Sequence, residues 1–539
     1  MERHLATIGE AVADLIGDQP CIVQGARRIS WGAFDDRASR LAGAFAAAGI
    51  GHGSKVAEYL YNAPEYMETY YAAVKIRATP VNVNYRYLDD ELLYLLENSE
   101  AEALVFHTSL GDRVARIRDR APGVKLWIAV HDGGGFDDVV GSFAYEDVLA
   151  AHEPAPRIAR DPSDVVMTYT GGTTGMPKGV MSRMGGGIEG WMTAVPPILG
   201  MAPVTDPAEI PAMAKRVADE GRQWVSLPAC PLMHGTGMDI GTRPSMCFGG
   251  VLVLLEHRGL DVDEVWSTVE RESVNGLTIV GDAFARPLLR GLQDGPAREL
   301  GSLRLLMSAG AMFSGEVKQG LHSHLPNAAI VDYMAATEGG MGVSVSTREK
   351  PAATGRFMPG AGVKVLREDG EEVAPGSGEM GIVCVPVSER PLGYFKDEEK
   401  TARTFREIGG QLYSVPGDWA LVEDDGSITL LGRGSQCINT GGEKVFPEEV
   451  EEIIKLHPAV DDALVFGVDD ERFGQRVVGV ASVTAGGVAG PDEIIELTRT
   501  KLSSYKVPRQ LVLVEVVPRA PNGKADYPGA RSLFEAAAT

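Results

Sequence analysis

The sequence predicts an α/β protein: a large N-terminal domain of mostly parallel sheets with helices, ending in a β-rich subdomain, and a small, mobile α+β C-terminal domain. Short apolar runs alternate with helical stretches through most of the chain, which is the pattern of βαβ units. Gly-rich turns and short alternating strands follow from about residue 355. A compact group of helices and strands is predicted at the C-terminal end. A chain of 539 residues is long enough for more than one domain.

The first predicted helix shows how elements are assigned in the N-terminal domain. Ser30 can cap it, Phe34 and Leu41 recur at helical spacing, and Gly49 stands where a C′ glycine belongs. Further helices are expected at residues 65–77 and 89–96. The expected strands are residues 55–60, 80–84, 103–106, 125–130, 165–169, 252–255, 277–280, 303–307 and 329–331.

The domain boundary is predicted at Arg433, because the glycines on both sides of it allow large backbone rotations. This divides the chain into residues 1–432, with the β-rich subdomain at about 355–432, and residues 433–539. The second domain is expected to contain helices at 447–455 and 491–502 and strands at 463–468, 477–483 and 511–517.

The composition argues against several classes of protein. Hydrophobic residues make up 44% and charged residues 23%, as in ordinary globular proteins. The net charge of -23 argues against nucleic-acid and anionic-membrane partners, since both are polyanions. Without a secretory signal or a membrane-spanning apolar run, a cytoplasmic protein is expected. The scattered cysteines indicate small buried residues rather than disulfides or a zinc site: Cys21, Cys230, Cys247, Cys384 and Cys437.

Residues 170–179 follow a predicted strand and have the chemistry of a phosphate-binding loop. Glycine lets a polyanion approach the backbone N–H groups closely. Met176 and Pro177 separate Gly175 from the lysine, so the loop is not a Walker A motif. The candidate phosphate ligands are Thr170, Gly171, Gly172, Thr173, Thr174 and Lys178.

This loop resembles the signature of the adenylate-forming superfamily, which comprises acyl-CoA synthetases, luciferases and the adenylation domains of peptide synthetases. The resemblance extends from about Ser30 to Lys524, and the acyl-CoA synthetase branch fits best. It implies that ATP, Mg²⁺ and CoA are used and that a carboxylate is first adenylated and then transferred to the CoA thiol. Residues 279–287, 393–397 and 523–527 are similar to actinobacterial synthetases for long fatty acids or sterol side chains.

The resemblance also implies a metal and adenine site. Glu338 is the expected Mg²⁺ ligand and Thr337 a donor to the α-phosphate. Gly310 and Ala311 belong to a segment similar to the turn beside adenine in the family. Asp332 either accepts from the adenine amino group or caps the next turn. Met334 stands where the family commonly has a tyrosine, and it can cover a purine face instead.

Two further motifs imply contacts to ribose and CoA. Asp418 is expected to bind the ribose hydroxyls, or else to lie in a surface turn. Arg433 is expected to contact ribose or phosphate, with a plain salt bridge as the alternative. Gly441 and Gly442 resemble the turn that the phosphopantetheine arm of CoA passes. Ser435 stands where many family members have Asp or Lys at the hinge.

The remaining candidates act on the acid. Lys524, in a Pro/Asn/Gly loop, is expected to bridge the carboxylate and phosphate as they approach. His234 is expected to line or gate the acyl site, the alternative being a core histidine bonded to backbone. The segment between the phosphate loop and Trp224, rich in Gly, Pro, Ala and Met, is expected to be less regular. Either an acyl channel or packed core is expected from Trp191, Met192, Ile198, Leu199 and Met201.

The function predicted by this resemblance is ATP-dependent synthesis of an acyl-CoA, on a long-chain fatty acid or a sterol side-chain acid. The expected partners are a small-molecule carboxylic acid, ATP and CoA, with a homo-oligomer left open. Two alternatives remain at this point. One is an adenylating enzyme that loads a carrier protein, and the other is a catalytically silent binder of acyl groups or nucleotides, which the departures at Met334 and Ser435 would suit.

Overall fold

The computed structural model describes the chain except for residues 134–138, 171–175, 388–391, 441–442, 471–472, 485, 521–522 and 539. Within the described residues the helices are α1 (Leu5–Ile16), α2 (Trp31–Ala47), α3 (Pro64–Lys75), α4 (Asp89–Ser99), α5 (Gly111–Ile117), α6 (Tyr145–Ala151), α7 (Met184–Ile198), α8 (Ile210–Asp219), α9 (Arg243–Cys247), α10 (Val262–Arg271), α11 (Gly281–Asp294), α12 (Gly315–His324), α13 (Glu398–Thr404), α14 (Pro447–Lys455), α15 (Pro491–Lys501) and α16 (Tyr527–Ala538).

The strands in the same residues are β1 (Pro20–Gln24), β2 (Arg27–Ser30), β3 (Lys55–Tyr59), β4 (Thr79–Asn82), β5 (Ala101–His107), β6 (Leu126–Val130), β7 (Phe143–Ala144), β8 (Val165–Thr170), β9 (Lys178–Arg183), β10 (Val225–Pro228), β11 (Val251–Leu254), β12 (Gly276–Ile279), β13 (Leu305–Ala309), β14 (Ala329–Ala336), β15 (Gly339–Ser346), β16 (Arg356–Pro359), β17 (Lys364–Leu366), β18 (Met380–Pro386), β19 (Gly393–Tyr394), β20 (Phe405–Ile408), β21 (Gln411–Ser414), β22 (Asp418–Val422), β23 (Ile428–Arg433), β24 (Ile438–Thr440), β25 (Glu443–Val445), β26 (Val460–Asp470), β27 (Gly474–Val483) and β28 (Gln510–Leu513).

Two sheets form the framework of the N-terminal part. In the first, β1, β11, β10, β12, β13 and β14 lie side by side in parallel, and the sheet continues through the antiparallel strands β15, β16, β23, β22 and β18. In the second, β8, β4, β3, β5 and β6 are parallel, and β9 adds an antiparallel edge to β8. The predicted fold class is confirmed, and the β-rich region is continuous with the first sheet.

Apolar packing arranges these sheets into layers, because each parallel sheet needs both faces covered. Helices α1, α2 and α3 share one core with the inner faces of both sheets. Helices α10, α11 and α12 cover the other face of the first sheet, while α4 and α5 cover that of the second. Buried side chains of the shared core include Trp31, Phe45, Tyr71, Val105, Ile128, Leu252 and Met307.

The local signals at α2 behave as predicted. Ser30 Oγ accepts a hydrogen bond from the Ala33 N–H at 3.2 Å, which caps the helix. Gly49 has φ +76°, the left-handed conformation expected of a C′ glycine. The predicted strands and helices of this part are all present, with shifts of a few residues at their ends.

The segment after the phosphate loop was predicted to be less regular, and this is wrong. It forms α7 and α8, although α7 contains Pro196 and Pro197. The apolar side of α7 is buried in the core, with Met192 and Leu199 fully buried and Trp191 and Met201 packed against them. The alternative of packed core is therefore confirmed for these four residues, whereas Ile198 is 46% exposed.

The C-terminal part builds a separate small sheet. Strands β26 and β27 pair over most of their length, β28 lies parallel to β27, and β24 and β25 form a hairpin at the other side. Helices α14 and α15 cover one face and α16 the other. The helix at 447–455 has the predicted bounds, while α16 was not predicted.

Two predictions concern the state of the cysteines and the presence of membrane-spanning segments. Cys21, Cys230, Cys247 and Cys384 are buried free thiols, as predicted, and Cys437 is half-buried. Among the described residues, no helix combines the length and apolarity needed to cross a bilayer.

Candidate active site

A cavity of about 560 Å³ opens where the two sheets and the C-terminal part meet. Ligands of open α/β sheets bind outside the carboxyl ends of the strands, and this cavity has that position. Its walls come from the ends of β4, β8, β13 and β14, from β22 and β23, and from residues 519–528 of the C-terminal part.

The predicted phosphate loop is the connection between β8 and β9. Thr170 ends β8 opposite Lys178, which begins β9, and both Thr170 and Pro177 line the cavity. Gly171, Gly172, Thr173 and Thr174 lie outside the described residues. The Lys178 ammonium group forms an ion pair with Asp397 Oδ2, so its charge is balanced by a carboxylate at the start of α13.

The predicted metal ligand lies in the turn between β14 and β15. Glu338 is buried, and its Oε1 accepts a hydrogen bond from the Tyr394 hydroxyl. A buried carboxylate suits Mg²⁺, which proteins usually hold with one or two carboxylates while substrate phosphates supply other ligands. Thr337, its neighbour in the turn, is exposed.

The adenine side brings together several predicted residues. Gly310 (φ +90°) and Ala311 line the cavity just after β13. Met334 is 4% exposed and lines the same wall. Asp332 lies within β14, so the prediction that it caps a turn is wrong; its Oδ2 accepts from Lys318 Nζ at 2.9 Å. Burial raises the pKa of Asp332 to about 6 despite that lysine.

The predicted ribose contacts face each other across a pair of antiparallel strands. Asp418 begins β22 opposite Arg433, the last residue of β23, and Arg433 Nε lies 3.4 Å from Asp418 Oδ1. Asp418 is buried rather than in a surface turn, and burial raises its pKa. Its Oδ2 is buried with no partner among the described residues. The salt bridge predicted as an alternative for Arg433 is thus present, but on the cavity wall.

Lys524 enters the cavity from the C-terminal part. Its Cε lies 3.7 Å from the point that a Cβ atom on Gly310 would occupy, so the lysine lies against the end of β13. The adjacent Gly523 also packs closely: a Cβ atom on it would lie 3.1 Å from Ala283 Cβ and 3.2 Å from Val280 Cγ1. Desolvation first, and then the charge of Arg433, lower the pKa of Lys524.

His234 also lines the cavity. Its Nε2 atom is buried without a partner among the described residues, so the alternative of a core histidine bonded to backbone does not hold for this nitrogen. Burial and then the charge of Lys524 lower the pKa of His234 to about 3. The ring is therefore neutral at physiological pH, with one donor and one acceptor nitrogen.

The structure brings Thr170, His234, Gly310, Ala311, Asp332, Asp418, Arg433 and Lys524 to one cavity. Gly441 and Gly442 lie outside the described residues, between Thr440 of β24 and Glu443 of β25, which pair with each other. No group of three His, Cys, Asp or Glu residues that could hold a metal occurs among the described residues.

Family models match this architecture in two blocks. The model of the AMP-binding enzyme matches residues 10–395, and that of the AMP-binding enzyme C-terminal domain matches residues 449–524. The chain belongs to the AMP-binding enzyme family. The predicted family resemblance is thereby confirmed.

Named relatives of this AMP-binding enzyme are CoA ligases. A 3-oxocholest-4-en-26-oate–CoA ligase of Rhodococcus rhodochrous is 38% identical over 546 residues, which cover 98% of this chain and 95% of the relative. A medium/long-chain-fatty-acid–CoA/3-oxocholest-4-en-26-oate–CoA ligase of Mycobacterium tuberculosis is 37% identical over 537 residues, covering 99% and 96%.

Solved structures similar to this AMP-binding enzyme establish its fold. An anthranilate CoA ligase in complex with anthranoyl-AMP superposes with a TM-score of 0.83 at 20% identity, covering 99% of this chain and 98% of that one. A benzoate CoA ligase from Burkholderia xenovorans LB400 gives a TM-score of 0.82 at 19% identity, covering 98% and 99%.

A group of charged residues lies where the C-terminal part of this AMP-binding enzyme meets the cavity. Sequence reasoning missed this group. Glu448, Glu451 and Lys455 share one face of α14 and line the cavity with Arg519. Glu448 lies directly against Gly432, where a Cβ atom would come within 2.2 Å of its Oε2. The spacing of three and four residues along α14 is the signal that could have found this group.

The buried carboxylates predict a pH dependence of stability. Burial, and then the charge of Glu451, raise the pKa of Glu448 above its ordinary value of 4.5. The folded protein therefore binds this proton more tightly than the unfolded chain, and stability is lost as the pH rises through the raised pKa. In Glu448→Gln the unfolding temperature should fall less between pH 6 and pH 8.5 than in the wild type.

Differential scanning calorimetry of the wild type and the variant measures this difference. Glu449→Gln is the matched control, because it removes a carboxylate from the same helix turn that is half-exposed and paired with Lys506. It should keep the wild-type dependence on pH. Equal dependence in Glu448→Gln and the wild type would contradict the assignment.

Proposed function

We propose that this chain is an AMP-forming acyl-CoA ligase that converts a carboxylic acid, ATP and CoA into acyl-CoA, AMP and pyrophosphate. The observation that carries the proposal is the position of Lys524, which comes from the C-terminal part yet lies in the cavity beside Gly310, Asp418 and Arg433. The names of the full-length relatives support the same reaction. They also support a fatty acid or a sterol side-chain acid as the substrate.

In the proposed first step, an oxygen of the substrate carboxylate attacks the α-phosphorus of ATP, and the bond to the leaving pyrophosphate breaks. Two anions must approach each other, and a shared cation offsets their repulsion where the charge develops. Lys524 is the candidate for this role because it lies at the junction of the two sides of the cavity. Asp418 is proposed to accept from ribose hydroxyls, since its buried Oδ2 lacks a partner among the described residues.

Binding of ATP in this scheme requires an exchange of partners. The residues proposed to hold the β- and γ-phosphates and Mg²⁺ are Lys178 and Glu338, and both contact the segment around β19. Asp397 balances Lys178, and Tyr394 donates to Glu338. We propose that phosphates replace Asp397 at the lysine and that Mg²⁺ replaces the Tyr394 hydroxyl at Glu338. When bound there, the metal would neutralise charge on the phosphates.

In the proposed second step, the CoA thiol loses its proton and its sulfur attacks the activated carbonyl carbon. The bond from that carbon to the AMP oxygen breaks, so AMP leaves. We propose that the C-terminal domain, from Arg433 onward, rotates to withdraw Lys524 and to present Gly441 and Gly442 to the CoA arm. A boundary at Arg433 is supported by the sheets, because β23 ends the large sheet there and β24 begins the small one.

A screen of carboxylic acids tests the reaction and its substrate range. The screen contains short fatty acids, long fatty acids and sterol side-chain acids. CoA-dependent AMP release should be highest with either the long fatty acids or the sterol side-chain acids. AMP release that is independent of CoA, or none above the acid-free blank with any acid, would overturn the proposal. The second outcome would instead favour a silent binding protein.

Substitution of the lysine separates the two half-reactions. Lys524→Ala should lower carboxylate-dependent ATP–pyrophosphate exchange by about a hundredfold or more, because one charged donor at developing charge has effects of that order. Thioester formation from supplied acyl-adenylate should fall by less than about threefold, since that step is proposed to proceed with the lysine withdrawn. Lys501→Ala, an exposed lysine at the end of α15, is the control. Equal losses in both half-reactions would contradict the role assigned to Lys524.

A further inference from the structure

A second, much smaller void is also lined by His234. It measures about 30 Å³, room for one or two groups the size of a water molecule. His234 and Asn82 line both this void and the large cavity, so the two spaces share a wall. Its other walls come from β3, α3, β8, the π-turn Thr236–Ile240 and α9.

The walls of this void hold buried polar groups without partners. Glu58, on β3, is 1% exposed, and its Oε1 has no hydrogen-bond partner among the described residues. The hydroxyl of Tyr66, which is also 1% exposed, has none either. Buried polar atoms nearly always have partners, and each exception calls for an unseen water, an unseen ligand or a role in function.

Burial also sets the charge of these groups. It raises the pKa of Glu58 well above its ordinary value, and no cation offsets this effect. Burial therefore favours the protonated carboxyl group, which can donate one hydrogen bond and accept another. Tyr66 can do the same through its hydroxyl.

Among the described residues on the wall of this void, the cation is Arg243, and its charge is paired. Arg243 forms an ion pair with Asp239 of the π-turn and donates from Nη1 to the Tyr70 hydroxyl at 2.7 Å. Its guanidinium group also lies 5.4 Å from the Trp191 ring. A second carboxylate on the substrate would therefore lack a free counterion and would face Glu58. The void suits a neutral polar group better than an anion.

The rest of the wall is apolar. Val166 and Met167 of β8, together with Leu232, Met233 and Met238, surround the polar groups. In a void of this size such a lining has room for one carbon of an acid and the oxygen it carries, which the fixed polar groups can orient, as in most small-molecule sites. The position behind His234 is where the chain of an acid would extend if its carboxylate lay near Lys524.

We propose that this void is a specificity subsite, in which Glu58 and Tyr66 bind a hydroxyl or keto oxygen carried by the acid. The inference rests on the proposed function, because it takes the large cavity as the site of adenylation. A site built to bond an oxygen discriminates strongly against an analogue that lacks it, since its own buried groups then stay unpaired.

Turnover of a positional series tests the subsite. Decanoate and its monohydroxy derivatives, with the hydroxyl moved along the chain, are compared by kcat/KM from CoA-dependent AMP release with the full chain. In the wild type, one position or two adjacent positions should exceed decanoate by about tenfold or more. Tyr66→Phe and Glu58→Leu should bring this ratio toward one, and Glu58→Gln should retain most of it because the amide still donates and accepts.

Tyr71→Phe is the matched control. Tyr71 lies on the same helix as Tyr66 and has a buried hydroxyl without a partner among the described residues, but it does not line the void. Its substitution should leave the preference unchanged. If Glu58→Leu fails to fold, Tyr66→Phe decides the question alone.

Other outcomes overturn the subsite. Turnover of decanoate with no preferred hydroxyl position, as expected if the void only holds water, overturns the subsite and leaves the proposed function intact. A preferred position that Tyr66→Phe does not affect overturns it as well. If neither decanoate nor any hydroxydecanoate releases AMP above the blank while another acid of the screen does, the subsite is overturned and the proposed function stands; if no acid of the screen releases AMP, both proposals fall.

Discussion

Charge balance inside one cavity is the constraint on which the site depends. The chain carries a net charge of -23, so its overall field opposes a polyanion such as ATP. Several cations in the cavity wall or beside it are paired with carboxylates: Lys178 with Asp397, Lys318 with Asp332, Arg433 with Asp418, and Lys455 with Asp282 at 4.0 Å. A nucleotide would enter by taking over such partners rather than by finding bare charges.

Close contacts at glycine residues link the two parts of the chain. Lys524 enters the cavity with its Cε 3.7 Å from the point that a Cβ atom on Gly310 would occupy, which is an ordinary van der Waals distance, and the adjacent Gly523 packs closely on Val280. On the other side, the carboxyl group of Glu448 of α14 lies directly against the backbone of Gly432. Glycines thus lie at both of these contacts between the C-terminal part and the rest of the chain. A rotation that broke these contacts would remove the lysine as a unit, which is what two successive chemistries require.

Local signals made much of the fold predictable from the sequence. Ser30 and Gly49 mark the ends of α2 through their own hydrogen bond and backbone angle, and Pro447 with its following glutamates starts α14 at the predicted residue. Helix α7 was missed because its glycines and prolines oppose helix locally. Burial of Met184, Ile188, Met192 and Val195 outweighs that preference, and no local pattern reports tertiary burial.

The candidate site was predictable to the extent that motifs carry it. Asp418, Arg433 and Lys524 stand in short recognisable segments, and they share the cavity. Asp397 and Glu448 were not assigned roles, since their importance lies in contacts with Lys178 and Gly432 that are distant in sequence. Glu58 was missed for a different reason: one glutamate in an apolar run does not reveal that its carboxyl group lacks a partner.

Isotope transfer shows whether an acyl-adenylate forms in this cavity. The acid is supplied with both carboxylate oxygens labelled with ¹⁸O, and the AMP released during acyl-CoA synthesis is analysed by mass spectrometry. One labelled oxygen per AMP is expected, because the carboxylate oxygen that attacks the α-phosphorus stays on the phosphorus when the bond between that oxygen and the carbonyl carbon breaks. Unlabelled AMP, or label recovered in inorganic phosphate with release of ADP, would contradict it.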